Sequence, residues 1–302
     1  MSKQLSELKN ENFWQLQLQI DKDEAPVVEE FFLQSGAMGY FELLYEENKT
    51  RNLETDSTTL FFFFASDFPV QAFTPMALTT LGIADYDFSV EEISYQDYVS
   101  QFEETFKAFA LTKQTWLVPP WNIKSPEIPP DVKRLLLRPG LAFGTGRHAT
   151  SQLMLEYIEE TMPGKQTALD LGTGSGILAI ACALYGAEKV WAFDVESLAI
   201  DSTRDNLLLN TEAYGLDCKL EAVVGSFAEA AALQCDVFLA NILPQVFLQN
   251  DVLLAESLRQ SKHWALSGVN AEAAADFEQR FFAEQKIEFR SREKGGWLMY
   301  FI

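Results

Sequence analysis

Cysteine, histidine and basic side chains are scarce in this chain, and each shortage removes a class of function. Three cysteines (Cys182, Cys218, Cys235) occur among 302 residues, in apolar or strand-like surroundings, with no CxxC pair and no neighbouring histidine. A disulfide framework and a zinc site are therefore not expected, no metal is called for, and a reducing compartment fits. Long apolar runs are also missing. Nothing approaches the roughly 18–20 uninterrupted apolar residues of a membrane span, and the opening MSKQLSELKNENFW is polar, so a soluble, cytoplasmic protein without an export signal is expected. Lys and Arg total 23 against 44 Asp and Glu, a net charge of −21. Nucleic acid and anionic membranes are repelled by such a surface, whereas a cationic partner is attracted. Residues 1–110 hold 20 acidic and 6 basic side chains, which makes the N-terminal third the better place to dock a basic protein. The GxxxxGK[ST] phosphate loop is absent, which argues against nucleoside triphosphate hydrolysis.

The apolar pattern divides the chain. WQLQLQI (14–20) alternates strictly and reads as a strand with one buried face. Residues 24–35 follow with Val27, Val28, Phe31 and Phe32 at helical spacing and Gly36 as a stop, then a strand over 38–45. TTLFFFFA (58–65) reads as a strand, 69–81 as a helix before Gly82, and 88–93 as a last strand. This order is that of a ferredoxin-like α+β domain, expected over 1–94. Tyr98, Phe102 and Phe106 recur every four residues and predict an amphipathic connecting helix. Five prolines in PPWNIKSPEIPP (119–130) predict an extended strap, so 95–130 is read as a linker. From 131 to 302, strand-like runs at 167–171, 189–194, 219–224, 236–241 and 263–268 alternate with helical ones, implying a parallel, doubly wound Rossmann-like sheet. The tail IEFRSREKGGWLMYF reads as a closing antiparallel hairpin turning at Gly295 and Gly296.

The chemistry concentrates in this C-terminal half. DLGTGSG (170–176) ends an apolar strand and opens a helix. Gly172, Gly174 and Gly176 let the backbone turn and approach a ligand, and the helix start offers free N–H groups. Eighteen residues after Gly176, Asp194 ends the next strand, where a carboxylate can accept hydrogen bonds from ribose hydroxyls. Gly174, Gly176 and Ala179 also satisfy the GxGxxA frame of dinucleotide sites, so an NAD-dependent oxidoreductase shares much of the pattern. Asp170 separates the two readings: a carboxylate at the strand tip suits an ammonium or sulfonium and suits a pyrophosphate badly, which favours S-adenosylmethionine. Asn241 opens NILP directly after the strand DVFLA, facing the ligand crevice. Its amide oxygen can accept from a substrate amine and aim the lone pair at a methyl group, so that positioning supplies most of the rate. His148, in the glycine-rich segment RPGLAFGTGRHATS (138–151), is a candidate general base or a loop-fixing hydrogen-bond partner. His263 is read as structural.

RPGLAFGTGRHATS, ALDLGTGSGILAIACALYGA, FDVES, ANIL and LSGV, in this order and spacing, resemble the PrmA family, whose members methylate ribosomal protein L-eleven of the large subunit. The resemblance is close over 115–270; over 1–110 it rests on element order and phrases such as LQSGAMGY. It implies a class I, seven-stranded S-adenosylmethionine-dependent methyltransferase domain behind an N-terminal substrate-recognition domain. It also implies transfer of methyl groups to lysine side-chain amines and the N-terminal α-amine of that ribosomal protein. By motif position the family's cofactor contacts fall on Ser151, Gly172, Asp194 and Asn241. Ser151 replaces the family's usual threonine and keeps its hydroxyl; Arg147, Ala149, Pro244 and Gln245 depart from the commoner residues and border the acceptor channel. A monomer is expected. Other readings are a methyltransferase for another protein lysine or a small molecule, and a non-catalytic binder of the ribosomal protein.

Overall fold

The computed structural model describes residues 12–42, 57–94, 96, 97, 100, 106–138 and 146–302. These fall into two compact units, one of the described residues up to 100 and one of 106–138 with 146–302. Most of the expected connecting helix, including Tyr98 and Phe102, lies outside the described residues, as does PGLAFGT (139–145).

In the N-terminal unit, alternation becomes a half-buried sheet. Strand β1 (Asn12–Asp21) buries Leu16, Leu18 and Ile20 on one face. The same face of β3 (Ser57–Ala65) buries Leu60, Phe62 and Phe64, with Leu16 opposite Phe62 and Leu18 opposite Leu60. Helix Ala25–Gln34 covers this face with Val28 and Phe32, helped by proline at its first turn, and helix Val70–Thr80 adds Val70, Ala77 and Leu78. Phe32 and Phe62 lie 4.7 Å apart between ring centroids, at the centre of an aromatic-rich core. With β2 (Gly39–Glu42) and β4 (Asp87–Ser94) the sheet order is β2-β3-β1-β4, all antiparallel, the ferredoxin-like arrangement expected from the sequence. Residues 43–45 of the expected second strand lie outside the described residues.

The larger unit opens with a small sheet that the sequence pattern does not predict: β5 (Phe109–Ala110), β6 (Thr115–Val118) and β7 (Lys133–Leu136), in that order. The proline-rich stretch connects the parallel pair β6 and β7, and it is not wholly extended. Pro120–Asn122 forms one 3-10 turn, with the Asn122 N–H donating to the Pro119 carbonyl, because proline's fixed φ suits the first position of a helical turn.

The main sheet has seven strands in the order β10-β9-β8-β11-β12-β14-β13. Strands β8 (Thr167–Leu171), β9 (Lys189–Asp194), β10 (Lys219–Val224), β11 (Val237–Asn241) and β12 (His263–Asn270) are parallel. The tail supplies the antiparallel hairpin β13 (Arg290–Lys294) and β14 (Trp297–Phe301). This is the doubly wound architecture expected from the resemblance. Helix Ile177–Leu184 is apolar on every side and buried, as a crossover helix wedged between layers must be. From β8 the chain moves outward to β9 and β10, then returns to the other flank of β8 as β11. The sheet therefore reverses direction between β8 and β11, and in such sheets ligands bind at the carboxyl ends of the strands at that point. Among the described residues no helix is long and apolar enough to cross a membrane, and no group of three or more His, Cys, Asp or Glu could hold a metal ion.

Candidate active site

The residues singled out in the sequence come together at the carboxyl ends of β8, β9 and β11. After β8 the chain turns sharply: the N–H groups of Gly172 and Thr173 both donate to the Phe193 carbonyl, at 2.8 and 3.0 Å, stitching the glycine loop to the end of β9. Gly172 has φ +76°, and a Cβ there would lie 2.3 Å from Ile242 Cγ2, so no other residue fits. Ile242 is held from the other side too. Gly268 has φ +103° at a bulge in β12, and a Cβ there would lie 2.1 Å from the Ile242 carbonyl oxygen. The segment that carries Asn241 is thus clamped between two glycines. Gly176 caps helix Ile177–Leu184, whose first N–H groups face the same end of the sheet.

Two carboxylates flank this loop. Asp194 accepts from the Gly174 N–H through Oδ2 and from the Glu196 N–H through Oδ1, both at 3.0 Å. Each oxygen keeps acceptor capacity, and desolvation raises its pKa above the usual carboxylate value. Asp170 is fully buried. Its Oδ2 accepts from Thr173 Oγ1 (2.8 Å) and the Ala179 N–H (3.1 Å), while its Oδ1 has no partner. Desolvation, with a smaller contribution from the Asp194 charge, pushes the Asp170 carboxyl up to about 7. A buried carboxylate oxygen with nothing to accept from is the place for a cationic donor.

Asn241 ends β11, and its Nδ2 donates to Thr150 Oγ1 at 3.2 Å. Thr150 and Ser151 are buried in the first turn of helix Ala149–Thr161, which His148 caps by accepting the Thr150 N–H on Nδ1. The His148 ring packs edge-on to Trp297, centroids 4.6 Å apart, and burial pushes its pKa down to about 4. His263 heads β12 away from the site and is also shifted down by desolvation. Arg147, one of the departures noted in the sequence, lays its guanidinium over the rings of Phe106 and Phe109, at 5.0 and 4.2 Å. Pro244 takes the first position of helix Pro244–Gln249.

A model of the family Ribosomal protein L11 methyltransferase (PrmA) matches residues 12–301. The chain belongs to this family. A ribosomal protein L11 methyltransferase of Pseudomonas paraeruginosa is 32% identical over 292 residues, 94% of this chain and 96% of that protein. The one from Thiobacillus denitrificans is 38% identical over 195 residues, so that the match spans 64% of this chain and 62% of the relative's length. The crystal structure of a ribosomal protein L11 methylase from Lactobacillus delbrueckii subsp. bulgaricus is similar with a TM-score of 0.56 and 30% identity, over 65% of this chain and 97% of that one.

Three residues not singled out in the sequence hold the glycine loop and the end of β7. Thr203 Oγ1 donates to the Gly174 carbonyl and Asn206 Nδ2 to the Ser175 carbonyl, while Asn206 Oδ1 accepts from the Arg138 N–H. Asn210 bonds both backbone groups of Leu136. All three are buried on one face of helix Ser197–Tyr214. Their spacing of three and four residues on a helical pattern is the signal that could have found them.

Proposed function

We infer that this protein transfers methyl groups from S-adenosylmethionine to amines of a basic protein, with ribosomal protein L11, the protein its relatives are named for, as the acceptor. The observation that carries the reading is the orphaned Asp170 Oδ1 beside the glycine loop, with Asp194 and Asn241 at the neighbouring strand ends. Such a donor set fits S-adenosylmethionine, which is cationic at both its amine and its sulfur. Bound S-adenosylmethionine supplies an electrophilic methyl group on a sulfonium.

The protein's own residues hold and orient. Asp194 would take the ribose hydroxyls on the acceptor positions that Gly174 and Glu196 leave open, and Asp170 would face positive charge. Gly172, Gly174 and Gly176 let the backbone close on the ligand, and Ser151 offers a hydroxyl from the helix start. Asn241, with Nδ2 committed to Thr150, would turn Oδ1 toward an N–H of the acceptor amine and so fix the direction of its lone pair. An ammonium has no lone pair, so the amine arrives neutral; the proton released after transfer passes to solvent. Positioning and exclusion of water account for the rate without a nucleophile on the protein. The acidic N-terminal third would attract the basic acceptor, and the work would take place in the cytoplasm.

Calorimetric titration with S-adenosylmethionine and, separately, with NADH tests the cofactor. Binding of S-adenosylmethionine alone is expected, weakened roughly 10- to 100-fold in Asp194→Ala, as loss of a charged hydrogen-bond acceptor implies. A preference for NADH, or equal binding by the variant, overturns the assignment.

A further inference from the structure

We propose that Thr150 and His148 are positioning residues that fix which face of the Asn241 amide meets the acceptor amine. The proposal rests on the reading of Asn241 given above. It stands on a chain of hydrogen bonds whose direction is determined from one end. The Thr150 N–H points at His148 Nδ1, at 3.4 Å, so Nδ1 is the unprotonated ring nitrogen. Thr150 Oγ1 lies 2.7 Å from the same Nδ1, and its only proton must therefore be donated there. With that proton committed, Oγ1 is left as an acceptor, and the group facing it at 3.2 Å must be a donor, the Nδ2 of Asn241. The amide cannot turn over without setting its carbonyl oxygen against a hydroxyl that has no proton to give. Oδ1 is thereby held on the opposite side, toward the crevice.

Each link is anchored. Thr150 is buried, so its hydroxyl has no water to exchange with. The His148 ring is braced edge-on by Trp297, with planes at 72°, and burial holds it neutral near pH 7. Gly295 in the hairpin turn sits against helix Ala149–Thr161, where a Cβ would lie 3.6 Å from that of Ala149. Two ion pairs, Arg292 with Glu160 and Lys294 with Glu156, tie β13 to the same helix. His148 thus acts through Thr150 on Asn241, as a fixed acceptor at the end of the chain and without giving or taking a proton during transfer.

The histidine state is read without any cofactor. The chain has two histidines, and nitrogen-15 spectra of the labelled protein resolve their rings. Near neutral pH His148 is expected as the single Nε2–H tautomer, and Thr150→Val should mix the two tautomers. In single-turnover methyl transfer at saturating S-adenosylmethionine, Thr150→Val should slow the step roughly 10- to 100-fold, the scale of a misaligned reacting group. Thr150→Ser should restore both the tautomer and the rate. The double variant Thr150→Val/Asn241→Ala should be no slower than Asn241→Ala, because Thr150 acts only through that amide. An Nδ1–H or protonated ring in the unaltered protein overturns the proposal even if every variant unfolds. A wild-type rate for Thr150→Val, or losses that multiply in the double variant, overturns it while Asn241 keeps its role. Full activity of Asn241→Ala removes the underlying reading of Asn241 and this proposal with it.

Discussion

At the tip of β8, Thr173 and the Ala179 N–H hold one oxygen of the Asp170 carboxyl while the other oxygen is buried with no partner, so ionising the group is costly. Its folded pKa of about 7 lies above the unfolded value of about 3.9. The folded state therefore binds the proton more tightly. The stability this lends is fully present below about pH 4 and is lost as pH rises through about 7. Asp170→Asn, which cannot ionise, should melt higher than the wild type near pH 8 and close to it near pH 4, while binding S-adenosylmethionine more weakly. Melting curves at the two pH values and a titration check this; equal melting temperatures at both would show that the buried charge carries no cost. The same residue separated the two glycine-loop readings in the sequence, because a carboxylate at a strand tip beside a ligand loop is a chemical statement in any register. Thr150 gave no such signal. Its importance comes from lying opposite Asn241, 91 residues away, a contact made only by the sheet.

Among elements, helix Ser197–Tyr214 does the joining. Thr203 and Asn206 hold carbonyls of the glycine loop, and Asn206 and Asn210 hold the backbone of Arg138 and Leu136 at the end of β7. Asn210→Ala would leave the Leu136 N–H and carbonyl buried without partners, a cost of roughly 2–4 kcal/mol from two unsatisfied backbone groups. Denaturant unfolding measures it; a loss below about 0.5 kcal/mol, the range of an ordinary surface change, would show that β7 does not depend on this side chain. The elements legible in the sequence are those built on strand-like apolar runs of five or more residues bounded by helical ones. Runs 167–171, 189–194 and 219–224 coincide with β8, β9 and β10. Strands β5, β6 and β7 have two to four residues each, too few for a local period to mark them. Asn206 and Asn210 carry only their helical spacing as a signal, which marks one face of the helix without saying that it is the buried one.

For the molecule as a whole, sheet topology and charge bear on function together. The sheet reverses between β8 and β11 and so provides one ligand crevice, lined by the glycine loop and Asn241. The chain carries a net charge of −21, weighted toward its N-terminal third, which favours a basic acceptor at low ionic strength and is screened over about 8 Å at physiological salt. Both suit methylation of an amine on a basic protein. The most direct test is to incubate purified ribosomal protein L11 with this protein and S-adenosylmethionine and follow the acceptor by mass spectrometry. Methyl increments on lysine or N-terminal amines are expected, appearing faster as pH rises toward the amine pKa values of about 8 and 10 and more slowly with Asp194→Ala at subsaturating S-adenosylmethionine. An acceptor of unchanged mass, with a protein that demonstrably binds S-adenosylmethionine, would contradict it.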